Sequence, residues 1–396
     1  MTAITMKARL VRALYVLIVV AVLPFLIWNG FIQQVSAEWN DIIVRLRGAQ
    51  ATAATGAVAL VAIDDQTAAR YGPLPLNRAR LAEGLEVLAQ AHPRVVVLDL
   101  LLSEAGEPSQ DTSLARSLGL FPHVVLAAAL EGDAGENPRW ILPLPELAHG
   151  RSTAHVHAAP DADGDVRSVL LVKAGSARRF WALGFEAVRL ATGADRPLES
   201  AEAVSLGSIR IPATDSESRL MMINYAGPEG TFPRVRFGDL LDGSANLTQF
   251  RDKIVIVGVT AQGSGDRLFT PLSSGIGMSG IEIHANVVRT ILDRAFLVPV
   301  GAAGEFAGSL LLIAICVAAI IWFRGVRLFT ALTTVLLVLV AAGFLSIRAG
   351  YILPLGSFLA VCLAASGIGG ISEYALLSRA LAGETTKRKE YAFRVQ

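Results

Sequence analysis

Four stretches of this chain run for eighteen residues or more with no charged side chain inside them: residues 13–30, 305–323 after its edge residue Glu305, 328–347 and 349–372. A helix needs about 20 largely apolar residues to cross the roughly 30 Å hydrocarbon layer of a bilayer, so each is long enough to span it. Their flanks set the direction. Lys7, Arg9 and Arg12 precede the first run, Arg324 and Arg327 fill the turn between the second and third, and Arg379, Lys387, Arg388, Lys389 and Arg394 follow the last. The positive-inside rule puts all three basic groups in the cytoplasm. The expected layout is therefore a cytoplasmic N-terminus (1–12), a first transmembrane helix (13–30), an extracytoplasmic domain (31–304), three further transmembrane helices (305–323, 328–347, 349–372) and a cytoplasmic tail or stalk (373–396). A cleaved signal peptide is the alternative for the first run, because Val35-Ser36-Ala37 has the small-residue pattern of a cleavage site.

Composition narrows the function. Charged residues make up 17% of the chain, below the roughly 25% of soluble domains, which agrees with lipid as part of the solvent. The formal net charge is +1, so the basic footprint that phosphate-backbone binding requires is missing and nucleic acid is not an expected partner. Both cysteines, Cys316 and Cys362, lie in apolar runs, leaving no disulfide framework or thiolate zinc site outside the membrane. The interiors of the four runs hold no ionisable group, which argues against a pore or a carrier. Gly301, Gly304, Gly308, Ala364, Gly367, Gly369 and Gly370 would allow close helix approach, within one chain or between two copies.

Between the first and second runs the pattern changes to short apolar stretches separated by helical periods. Residues 57–63, 95–100, 124–130 and 253–259 read as strands buried on both faces, and Asn77 can cap a helix whose Leu81, Leu85 and Leu88 share one side. Strand, helix and strand in succession predict right-handed crossovers and an α/β fold with a mostly parallel sheet. Residues 166–173, 209–211 and 220–225 are strand-like around a helix near 181–192, which predicts an α+β middle portion. Residues 131–139 predict an exposed loop.

Polar residues gather where these strands end: Asp64 and Asp65 after the first, Asp99 with Ser103 and Glu104 after the second, Thr260, Ser264 and Asp266 after the last. In an open parallel sheet the carboxyl ends of the strands frame the ligand crevice. Asp64, Asp65, Arg78, Asp99, Thr260, Asp266 and His284 are therefore the candidate ligand-binding residues. The competing structural reading has Asp65 capping a helix, Asp99 accepting backbone N–H groups and Asp266 paired with Arg267 or Arg78. Asp161, Asp163 and Asp165 alternate like calcium ligands. However, glycine stands fourth and Val172 twelfth, where a calcium loop needs glycine sixth and an acid twelfth, so a tight turn is expected. Glu282 with His284, and His155 with His157, each form a pair without a third ligand nearby in sequence. Gly258 and Gly263 have phosphate-loop spacing, but Ser264 and Gly265 stand where lysine and a hydroxyl residue are required. No catalytic residue, metal site or cofactor is expected. The rival function is a membrane-anchored, metal-assisted hydrolase using Asp64, Asp99 and Asp266 with His284. A structural or assembly protein is a third reading.

The order of motifs carries a resemblance. Ala62-Ile63-Asp64-Asp65-Gln66-Thr67, Gly72-Pro73-Leu74-Pro75-Leu76-Asn77-Arg78, Val97-Leu98-Asp99-Leu100-Leu101, Asp161-Ala162-Asp163-Gly164 with Arg167, Ile223-Asn224-Tyr225, Val255-Ile256-Val257-Gly258 through Asp266, Thr270-Pro271, Gly280 and His284-Ala285-Asn286 together resemble the second type of CHASE domain. Leu74 and Leu76 depart from that pattern, since such domains often carry tryptophan beside the proline. The resemblance covers nearly all of residues 31–295. It implies an extracytoplasmic sensory module of a multi-pass receptor in a bacterial inner membrane, followed by three membrane helices. It further implies coupling to an adenylate or guanylate cyclase, a histidine kinase or another output. No catalytic domain lies within the sequence up to Gln396, so that output is expected in a longer chain or a partner. The expected partners are membrane lipid, a small extracytoplasmic ligand of unidentified kind, a second copy in a homodimer and the cytoplasmic output domain.

Overall fold

The computed structural model describes residues 30–50, 52–132, 138–175, 178–213, 218–263 and 267–395. The first expected span, apart from Gly30, and Asp266 lie outside them. The chain divides into two compact units, one of residues 44–298 and one joining the N-terminal segment to residues 299–396.

The first unit is built on a seven-stranded sheet. β1 (Val58–Ile63), β2 (Val95–Asp99), β3 (Val124–Glu131), β4 (Arg139–Ile141) and β5 (Ser152–His155) are joined by strands Arg234–Arg236 and Ile254–Val259. The order from one edge is Arg234–Arg236, β1, Ile254–Val259, β2, β3, after which β5 and β4 pair along the far side of β3. All neighbours are parallel except β4. The apolar runs are continuous because both faces are covered: all six residues of β1 are buried. Val58, Leu60, Val95, Val97, Ile254 and Ile256 face one core, packed with helices Leu183–Thr192 and Gly280–Leu292. Ala59, Val61, Val96, Leu98, Val255 and Val257 face the other, packed with Arg78–Ala89, Pro108–Leu118 and Phe237–Leu241.

Strand Ile254–Val259 sits between β1 and β2, so the first crossover leaves a gap that a much later segment fills. Chain direction across the sheet reverses there, which makes the ends of β1, Ile254–Val259 and β2 the switch point of the fold. Gly258 lies opposite Asp99 in the register. A Cβ on Gly258 would stand 2.5 Å from Ile281 Cγ2 and 3.1 Å from Asp99 Cβ, so glycine is what lets helix Gly280–Leu292 press onto the sheet beside Asp99.

The middle portion is α+β, as the mixed pattern predicts. An antiparallel sheet of Ala158–Pro160, Val166–Leu170 and Leu220–Met222, a meander of Leu198–Glu199, Ala203–Leu206 and Ile209–Pro212, and a hairpin of Val172–Gly175 and Arg178–Trp181 surround helix Leu183–Thr192. Residues 133–137 of the expected loop lie outside the described residues; its ends, Glu131 and Arg139, are cross-strand partners.

In the second unit, Ala302–Trp322 and Val326–Arg348 are long and apolar enough to cross a membrane, and the shorter apolar stretch Leu355–Ile371 opens the helix Leu355–Val395. Leu312, Cys316, Ala319 and Ile320 pack with Leu328, Leu332, Phe358, Val361 and Cys362. Phe358 lies on Gly308, a close approach that a side chain would block. Leu311, Phe329, Leu337 and Leu363 point outward with 64% or more of their surface exposed, the arrangement of helices solvated by lipid. Glu305 is engaged within this unit, accepting from Ser357 Oγ.

Candidate functional site

The strand ends separate the seven candidate residues by what already holds them. Asp64, rather than Asp65, is the N-cap of helix Asp65–Tyr71: its Oδ1 accepts from Thr67 N at 2.8 Å and from Thr67 Oγ1 at 2.7 Å. Asp65 Oδ2 accepts from Gln262 N at 3.1 Å, tying two strand ends together. Thr260 is buried and its N–H bonds Ile63 O at 2.9 Å. Arg78 donates to Asp111 Oδ1 and Glu104 O. Burial alone would raise the Asp111 carboxyl, but the Arg78 hydrogen bond and the Gly106 N–H outweigh it and hold it below the usual range. Asp266 lies outside the described residues. These side chains do not converge on one point.

Asp99 and His284 do converge. Asp99 shares its sheet face with Val97 and ends β2 under the start of helix Gly280–Leu292, whose second turn carries His284. His284 Nε2 stands 3.7 Å from Asp99 Oδ2, too far for a hydrogen bond, and the two side chains are only 9% and 8% exposed. The expectation that Asp99 accepts backbone N–H groups fails: Oδ2 has no hydrogen-bond donor among the described residues. With nothing to stabilise its charge, burial pushes the Asp99 carboxyl up to about 7.

A cavity of about 50 Å³ opens beside this pair. Asp99, His157, Ser168 and His284 supply its polar groups, and Val156, Ala158, Val169, Ile283 and Val287 much of its apolar wall. His157, with fully buried His155 behind it, is the residue pair that sequence spacing left without a partner. β5 ends at His155 and the chain then turns toward Ala158–Pro160, which carries His157 to the cavity. His155 Nδ1 accepts from His157 N at 3.2 Å, and His157 Nε2 accepts from Leu130 N at 2.6 Å. A ring nitrogen that accepts an N–H is unprotonated, so both imidazoles are neutral. Burial, then the repulsion that His155 would meet on charging beside the His157 and His284 imidazoles and Lys173, lowers it to about 3; burial and Lys173 lower His157 to about 4. No group of three His, Cys, Asp or Glu residues among the described residues is placed to hold a metal ion, so the hydrolase reading finds no assembled ligand set there.

Other sequence candidates have structural partners. Arg167 lies among the acidic triplet, reaching Asp161 at 2.8 Å, Asp163 at 2.7 Å and Asp165 at 3.5 Å, so a guanidinium occupies the centre of that turn. Glu282 is on a helix, not a strand, and points away from His284. It accepts from Gly230 N and Thr231 N and pairs with Arg234 at 3.2 Å. Burial still raises it above the usual carboxylate range, against the pull of Arg234 and those N–H groups. A second, open and polar groove of about 280 Å³ lies at the opposite ends of β3 and β5. It is larger, but its cation Arg151 already caps two helices by donating to Leu147 O at 2.7 Å and Ala115 O at 2.8 Å.

One tyrosine touches both the cavity wall and the stalk that leads into the domain. Tyr225 Oη donates to Val166 O at 2.7 Å, and Val166 lines the cavity. Tyr225 O accepts from Arg47 Nη2 at 2.8 Å, and Arg47 ends helix Gly30–Arg47. Adjacent Asn224 O accepts from Arg289 Nη1 at 2.8 Å. Burial, then the charge of Arg289, lowers Arg47 to about 10. Arg45 Nε donates to Pro271 O at 2.6 Å, giving the stalk end a second anchor.

Comparison with known proteins agrees with this architecture. No curated protein and no solved structure matches the chain. The family described as the CHASE2 domain matches residues 16–322, well over half of the sequence. The apolar helices Ala302–Trp322 and Val326–Arg348 stand at and beyond the end of that match. This chain, an α/β domain with a parallel-rich sheet and a buried polar cavity at its switch point, followed in sequence by apolar helices, thus belongs to the CHASE2 family, the extracellular sensory domains of receptors tied to cyclases or kinases.

Proposed function

We propose that this chain is the input half of a multi-pass receptor in a bacterial inner membrane: the domain of residues 31–304 senses a small ligand outside the cytoplasm and relays occupancy to a cytoplasmic cyclase or histidine kinase. The observation that carries the reading is the double contact of Tyr225, hydroxyl on the cavity wall and carbonyl on the last residue of the stalk helix. A ligand can shift a receptor only by its different affinity for two states, and a cavity wall bonded to the stalk supplies an element that both can bias.

The layout follows from charge. Arg324 and Arg327 on one turn, and the basic residues of the C-terminal helix, belong on the cytoplasmic side, with Arg348 on the outer turn. Val35-Ser36-Ala37 lies in the middle of helix Gly30–Arg47, which favours an uncleaved anchor over a signal peptide. Helix Leu355–Val395 continues from the last apolar stretch as one 41-residue element, the form of a signalling stalk that pairs with a second copy. The test is a fusion of a nucleotide cyclase catalytic domain after Gln396. Arg47→Ala and Tyr225→Phe are each expected to change basal cyclase output at least threefold at equal protein level. Output equal to that of the parent fusion for both variants refutes the relay.

A further inference from the structure

The cavity beside Asp99 has a polarity that constrains its occupant. Its volume of about 50 Å³ compares with the roughly 10–15 Å³ that one water occupies by such a measure and with the 150 Å³ that accommodates benzene. That leaves room for about two to four non-hydrogen atoms. The Asp99 side chain is 8% exposed, and its Oδ2 meets no hydrogen-bond donor among the described residues. No lysine or arginine lines the space among the described residues. The lining therefore offers one formal charge, a carboxylate, together with the Ser168 hydroxyl and the His284 imidazole across a 3.7 Å gap from Asp99. A buried carboxylate with no partner is costly unless a proton or a cation comes to it.

The metal-ion alternative is poorly served, because ring nitrogens that could ligate are taken. His155 Nδ1 and His157 Nε2 each accept a backbone N–H, and no group of three His, Cys, Asp or Glu side chains is placed to hold a metal ion among the described residues. An organic anion would meet the Asp99 carboxylate and no lysine or arginine to balance it among the described residues. A small ammonium ion satisfies what remains: its N–H groups reach Asp99 Oδ2 and the Ser168 hydroxyl, and one to three carbons lie against Val156, Ala158, Val169, Ile283 and Val287.

We infer that this cavity is a binding site for a short protonated amine, with Asp99 as the counter-ion, Ser168 and His284 as hydrogen-bonding partners, and Ala158 as a limit on size. The inference rests on the sensory reading and names the ligand class for it. A ligand of two non-hydrogen atoms, such as methylammonium, binds no tighter than about millimolar.

The experiment is a calorimetric titration of the full chain in lipid nanodiscs at pH 8 with methylammonium chloride, against sodium chloride at equal ionic strength. Saturable binding is expected. It should weaken at least tenfold in Asp99→Asn, which keeps the shape of the side chain, and be lost in Ala158→Val, which fills the space, while both variants retain the parent circular dichroism. Tetramethylammonium and acetate should not saturate. Absence of saturable methylammonium binding overturns the proposal, and so does equal binding by Asp99→Asn, or saturation by acetate or zinc chloride that Asp99→Asn abolishes. The cyclase fusion reads the relay without any ligand, so a failure there leaves this titration unaffected, and the reverse also holds.

Discussion

Acidification should separate Asp99 from the histidines around it. Between pH 7.5 and 5 an unfolded histidine with a pKa of about 6.5 takes up a proton that His155, held near 3 by burial, cannot take in the folded state. Stability is therefore lost as pH falls through the unfolded value, by about 2 kcal/mol for His155 over this range. His157, near 4 but partly solvated, adds about half as much. Asp99 works in the opposite sense. Its folded value near 7 lies above the unfolded value of about 3.9, so the folded state binds the extra proton and gains about 2–3 kcal/mol over the same range. The two effects nearly cancel in the parent protein, whereas Asp99→Asn retains only the loss of about 3 kcal/mol. Glu282, which burial also raises, is present in both proteins and drops out of the comparison. Urea unfolding of the full chain in detergent, followed by tryptophan fluorescence, reads the difference directly. With a urea slope of about 3 kcal/mol per M for a domain of this size, the midpoint should fall by about 1 M in Asp99→Asn and by only about 0.2 M in the parent. Parallel falls in the two proteins would refute the assignment of a buried, unpartnered carboxyl to residue 99.

Three other outcomes are open to measurement. Gly258→Ala places a methyl group against Ile281 and Asp99 and should cost about 1–3 kcal/mol in the same urea assay, with displaced packing of helix Gly280–Leu292. Arg167→Ala leaves three carboxylates facing one another. It should lower the melting temperature and make it rise with millimolar calcium, a dependence absent from the parent and readable by scanning fluorimetry. Leu311→Arg presents a charge at an outward-facing position in the middle of helix Ala302–Trp322, at a cost of about 3 kcal/mol if that face meets lipid, and should reduce the membrane-inserted fraction in a carbonate extraction.

The strands were legible because a strand covered on both faces must be apolar throughout: the runs 57–63, 95–100 and 253–259 are strands Val58–Ile63, Val95–Asp99 and Ile254–Val259 to within one residue. The helix after Asn77 was legible from its cap and its spacing, and Leu81, Leu85 and Leu88 are in the core. The site was legible only in part. Asp99 and His284 stood among the candidates because strand ends collect ligands, but their meeting depends on Gly258, whose missing side chain lets helix Gly280–Leu292 approach strand Ile254–Val259 beside Asp99. His155 and His157 carried no signal of their own, since their neighbours come from β3 and from helix Gly280–Leu292, and strand order is not written in local periodicity. Asp64 rather than Asp65 caps its helix because the helix begins at Asp65, directly after a strand that ends at Ile63, so the one extended residue between them takes the cap.

The place of strand Ile254–Val259 has a consequence for how the domain comes into being. Val58 pairs with Ile254 and Val95 pairs with that same residue, so the sheet lacks its middle member until almost the whole domain has crossed the membrane. A chain exported from its N-terminus cannot complete this fold in stages. Two apolar strand edges must wait through most of translocation, exposed to mispairing, and contacts so far apart in sequence close slowly. Late maturation, and dependence on holding factors outside the cytoplasm or on slow export, are therefore built into the strand order itself.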